Sequence, residues 1–102
     1  MTSDGLTIAD LCNRFLTAKQ RSLEASEITA KTFTDYRATT DRLVTTFGKT
    51  RIVDDLASDD FEALRASIAK VWGPVRLGNE VQRVRIVFKY GFECGLIERP
   101  IR

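Results

Sequence analysis

The sequence predicts an all-α fold of four helices. Three observations carry that prediction. Apolar residues recur at helical intervals in four separate stretches. Cap residues, glycines and a proline punctuate those stretches where helices would start and stop. No alternating β-branched run competes, and no Asn-Gly or Asp-Gly turn joins two strand-like segments. The length of 102 residues suits a single domain spanning 1–102 with one modest core.

Helix 1 is expected over about 8–23, with Thr7 as N-cap and Asp10 three residues on. Ile8, Leu11, Cys12, Phe15 and Leu16 form its apolar stripe, and Arg14, Lys19 and Arg21 lie off it. Helix 2 is expected over about 30–47, capped by Ser26 or Thr29 and stopped by Gly48. Phe33, Tyr36, Thr40, Leu43, Val44 and Phe47 share its inner face, and Lys31, Thr34, Ala38, Arg42 and Thr45 the outer one. Its many threonines cost helix propensity, which suggests a polar contact on the exposed face.

The linker from Lys49 to Ala57 offers Ile52, Val53 and Leu56 as anchors. Helix 3 is expected over about 59–70, with Ser58 as cap, Asp59 and Asp60 in the first turn, and Phe61, Leu64 and Ile68 as its stripe. Trp72 anchors the break that follows, and Pro74 opens helix 4, expected over about 75–94. Leu77, Val81, Val84, Phe88 and Phe92 define its core face, with Arg76, Asn79, Gln82 and Arg83 opposite. Ile86, Val87 and Tyr90 make the C-terminal half apolar nearly all round, as befits a central helix or a docking surface.

Composition excludes several chemistries. There is no histidine, so imidazole acid–base catalysis and the usual nucleophile–histidine pairs are absent. No glycine-rich phosphate loop occurs. Cys12 and Cys94 stand far apart and read as buried or half-buried free thiols. No cofactor and no metal are expected. No apolar run is long enough to span a membrane and the N-terminus lacks a secretory pattern, so a cytoplasmic location without a membrane partner is expected. Charge is unevenly placed. Residues 1–69 hold 9 basic and 11 acidic side chains, a net of −2, whereas residues 70–102 hold 7 and 3, a net of +4. An electropositive last third suits a phosphate-bearing partner.

The order of these features resembles the N-terminal core-binding domain of tyrosine recombinases, the phage-integrase family. Four stretches carry the likeness: the opening Leu6-Thr7-Ile8-Ala9-Asp10-Leu11 with Phe15-Leu16; Thr32-Phe33-Thr34-Asp35-Tyr36 leading to Phe47-Gly48; Asp55-Leu56-Ala57-Ser58-Asp59-Asp60-Phe61; and Asn79 through Phe88-Lys89-Tyr90-Gly91 to Gly95-Leu96-Ile97 and Pro100. Leu77 stands where the family usually has Ser or Thr, and Arg99 where it has Asn.

The resemblance implies a four-helix orthogonal bundle of the SAM-like type that grips the core recombination site through helices 2 and 4. It implies double-stranded DNA, a C-terminal catalytic domain of the same parent protein and other recombinase protomers as partners. The catalytic histidine box lies in that other domain, so this chain would be non-catalytic, and the sequence after Leu96-Ile97 reads as a linker toward it.

The residues that would meet DNA are Lys31, Thr32 and Thr34 on helix 2 and Arg76, Asn79 and Arg83 on helix 4. Arg and Asn present donor patterns that match guanine and adenine edges, and a helix fits the major groove. Each of these residues also suits a solvated helix face or a capping turn. A helical protein-interaction module without a DNA role remains the alternative, and a carboxylate-dependent enzyme a third.

Overall fold

In a computed structural model, which describes residues 5–95, the described residues are predominantly α-helical and form no strand. Four α-helices follow in order: α1 (Ile8–Glu24), α2 (Ala30–Phe47), α3 (Ser58–Ala69) and α4 (Pro74–Glu93), with a 3-10 turn at Val53–Asp55 before α3. The Leu96–Arg102 exit lies outside the described residues.

Local chemistry explains the boundaries. The Thr7 hydroxyl accepts from the Asp10 backbone N–H at 3.1 Å, and the Thr29 hydroxyl from that of Thr32 at 3.1 Å. Each satisfies one of the donors that a helix start leaves unpaired. Thr29 is thus the α2 cap, while Ser26 takes a left-handed turn at φ 62°. Gly48 ends α2 at φ 94°, a conformation that side chains with a Cβ resist.

Helix α3 differs from expectation. Ser58 lies inside it and Ala57 is the cap residue. Alanine has no side-chain acceptor, so the Asp60 carboxylate reaches back instead and accepts from the Ala57 N–H at 2.8 Å. Arg51 Nη2 holds the same Asp60 oxygen at 3.1 Å.

Helix α4 packs against the other three helices, and α1 packs also on α2. Phe15 joins α1 to both neighbours through edge-on contacts with Tyr36 at 5.2 Å and Tyr90 at 5.6 Å. Phe61 does the same for α3, against Phe47 at 5.6 Å and Phe88 at 5.2 Å. Such perpendicular pairs add to the area they bury. The linker anchors hold: Val53 and Leu56 are buried, and Ile52 bridges to Thr7.

Two faces sit differently from the sequence pattern. On α4 the buried positions are Glu80, Val84, Val87, Phe88 and Gly91, while Phe92 is 40% exposed and Leu77 and Val81 are half-buried. The inward face is therefore rotated by about 60° from the expected stripe, at roughly 100° per residue. On α2 the threonines supply core as well as surface. Thr40 is buried on the inner face as expected, Thr39 is buried beside it, and Thr40 donates to its own helix at the Arg37 carbonyl, 2.9 Å away. That local bond lets a hydroxyl enter an apolar core without an orphaned proton.

Among the described residues no helix is long and apolar enough to cross a membrane. The thiols also separate: Cys12 is buried, but Cys94 is exposed at the α4 C-cap rather than half-buried.

Candidate functional site

The rotation of α4 brings its polar flank against α2. Glu80 becomes a core residue, 2% exposed. Arg42 Nε donates to its Oε2 at 2.9 Å, and Arg83 Nε donates to its Oε1 at 3.1 Å. The Thr39 hydroxyl lies 2.7 Å from Oε1 and 3.1 Å from the Asp35 carbonyl. It has one proton, and the charged, nearer acceptor takes it. A buried carboxylate is tenable only when its lone pairs are met in this way.

Both arginines bind Glu80 through Nε alone, so no terminal Nη atom of either takes a protein acceptor among the described residues. Trp72 adds a third guanidinium. The Arg76 guanidinium carbon lies 4.0 Å from its ring centroid, and that of Arg42 4.5 Å. Cation–π contact with an indole holds a guanidinium without consuming its hydrogen bonds. Two cations thus meet one carboxylate at the α2–α4 junction, and a third guanidinium shares the Trp72 ring with one of them, with donor edges left over.

The expected site residues divide. Arg76 and Arg83 belong to this cluster. Asn79 is exposed on the same helix. Arg83 is not on an open face opposite the core stripe; it flanks the buried face and is half-buried. Lys31 pairs with Asp35 at 3.2 Å on the surface, Thr34 is exposed, and Thr32 serves the α2 cap, its hydroxyl accepting from Thr29 at 3.0 Å. These three sit in the first one and a half turns of α2, roughly 12 Å or more along the helix from Arg42.

Arg42, Glu80, Thr39 and Trp72 were not among the expected site residues. Arg42 reads from sequence as a residue of the outer face of helix 2, but it pairs with Glu80, 38 positions away. One signal was available: Glu80 is the sole acid between Glu62 and Glu93, set among basic residues.

Among the described residues no group of three or more His, Cys, Asp or Glu side chains gathers as metal ligands would. No protein-family model matches the chain, and neither curated proteins nor solved structures give a match.

Proposed function

We propose that this chain is the DNA-binding, non-catalytic module of a site-specific tyrosine recombinase, gripping duplex DNA at the α2–α4 junction. A separate C-terminal domain of the same parent protein would cleave and rejoin the strands, and further protomers would share the site. The observation that carries the reading is the gathering of Arg42, Arg76 and Arg83 around Trp72 and Glu80, with guanidinium edges free. Guanidinium forks match phosphate oxygens and guanine edges. The four sequence stretches that resemble the core-binding domain support the same assignment, and Asn79, Lys31, Thr32 and Thr34 extend the surface toward base edges and backbone.

Fluorescence anisotropy with a labelled duplex tests it. The chain should bind weakly and lose affinity by ten- to a few-hundredfold between low and physiological salt, as ~4–6 phosphate contacts would dictate. Arg76→Ala should weaken binding by ~1–3 kcal/mol if Arg76 reads a base, and by less if it meets phosphate alone. Absence of binding at ~20 mM salt with micromolar protein would overturn the assignment.

A protein-interaction role has one observation in its favour. Phe61, Leu64, Ile68, Val81, Val84 and Phe88 line a groove of about 310 Å³ between α3 and α4. In that case duplex DNA would leave the chain unbound at every salt concentration.

A further inference from the structure

Arg14 and Arg21 stand outside the α2–α4 cluster. Seven residues apart on α1, they project from one side of that helix. With Asn13, Thr17 and Ala18 they border an open depression of about 340 Å³, closed on its far side by Tyr90 of α4. No acidic residue borders it. Both arginines are exposed, and neither forms an ion pair among the described residues.

The floor is fixed. The Tyr90 hydroxyl donates to the Arg14 carbonyl at 3.3 Å, and the Tyr90 ring stands edge-on to buried Phe15. The Thr17 hydroxyl is committed to the Asn13 carbonyl at 2.9 Å. The side-chain donors left to face a ligand are the two guanidiniums and the Asn13 amide.

The position of Tyr90 on α4 connects this depression to the first cluster. Arg76, Arg83 and Tyr90 follow one another at intervals of seven residues, so they fall along one side of the helix. They span roughly 21 Å at 1.5 Å per residue. That length equals about six base-pair steps at 3.4 Å each. A free phosphate would need one end of such a stripe; a nucleic-acid backbone can use both.

We infer that the α1–α4 depression is a second phosphate-binding site, in which Arg14 and Arg21 contact the backbone of the same duplex held at the Arg42–Arg76–Arg83 cluster. The inference rests on the DNA-binding assignment above. Arginines without carboxylate partners hold only water and counterions, which a phosphate displaces, and contacts of this kind position DNA without reading its sequence.

The test compares the 102-residue chain with Arg14→Ala/Arg21→Ala, Arg14→Lys/Arg21→Lys and Arg76→Ala variants. Each is titrated against a fluorescein-labelled duplex across a salt series, with circular dichroism as the check on folding. The double alanine variant should stay helical, bind about ten- to a hundredfold more weakly at low salt, and keep the sequence preference of the parent. Its log–log salt slope should be shallower by roughly 1.8, for two lost phosphate contacts. The double lysine variant should keep the parental slope.

If the parent and Arg76→Ala chains behave as the assignment requires but the double alanine variant matches the parent in affinity and slope, the second site is wrong and the first stands. A lysine variant as impaired as the alanine one would also overturn it, because charge would not be the agent. A parent chain that binds no DNA overturns both.

Discussion

Glu80 carries a carboxylate into a place where 2% of the residue meets solvent, and Thr39, Arg42 and Arg83 together make that tenable. Its effect on DNA separates two roles. If Glu80 only cancelled charge, Glu80→Gln would strengthen binding by removing a negative group. If it holds two guanidiniums by their Nε atoms, the amide holds them less well and binding weakens despite the added net charge. The geometry supports the second role. Glu80→Gln should bind duplex more weakly and lose ~1–3 kcal/mol of stability in urea unfolding, as expected when a charged hydrogen bond is downgraded. Arg83→Ala should likewise destabilise, unlike a simple surface substitution.

Cys12 offers a second test at this scale. Burial, with Asp41 adding repulsion, pushes its thiol from the ordinary value of 9.0 up to about 12. Well below pH 9 the thiol is protonated in both folded and unfolded chains, so its contribution to stability is constant there. Above that, the unfolded chain ionises first, and the contribution is lost progressively as pH rises toward 12. A thiol reagent at pH 8 should therefore modify exposed Cys94 alone in the native chain, with Cys12 reacting only after denaturation.

At the scale of elements, helix existence and boundaries were largely legible. Thr7, Thr29, Gly48 and Pro74 are local signals, and each acts where the sequence places it. The α3 cap was not, because Ser58 is the stronger capping residue by type and only the reach-back of Asp60 lets Ala57 occupy the position. The orientation of α4 was the larger miss. Leu77, Val81, Val84, Phe88 and Phe92 make a plausible stripe, but a wheel treats Glu80 as polar and turns it outward. Its burial depends on Arg42, which no window along α4 contains.

The same limit hid half of the candidate site: Arg76 and Arg83 were readable as basic helix residues, whereas Trp72 and Arg42 acquire their roles only when α2 meets α4. The corrected face predicts a ranking. Phe88→Ala, at a position 1% exposed and edge-on to Phe61, should cost ~3–5 kcal/mol, and Phe92→Ala far less, measured by chemical denaturation.

Across the whole molecule, charge is polarised between elements. Asp54, Asp55, Asp59, Asp60 and Glu62 crowd the 3-10 turn and the start of α3, where Arg51 is paired with Asp60. Of the arginines without an ion pair among the described residues, Arg76 sits beside Trp72, Arg14 and Arg21 sit beside Tyr90, and Arg65 and Arg85 border the α3–α4 groove. A polyanion approaching such a molecule is drawn to one region and repelled from the other, and the preference weakens as salt screens both. Orientation on DNA is thus set before any base is read. An amide chemical-shift titration with duplex DNA at low salt should therefore move resonances of residues 76–90 on α4 and 14–21 on α1. Those of residues 54–62 should stay in place. Asp54→Asn/Asp55→Asn, two exposed positions outside α3, should speed association at low salt and leave sequence preference unchanged, because it relieves repulsion without touching the contact surface. Shifts concentrated on residues 54–68, with α4 unmoved between 76 and 83, would instead put the working surface at the α3–α4 groove and remove the basis for the DNA assignment.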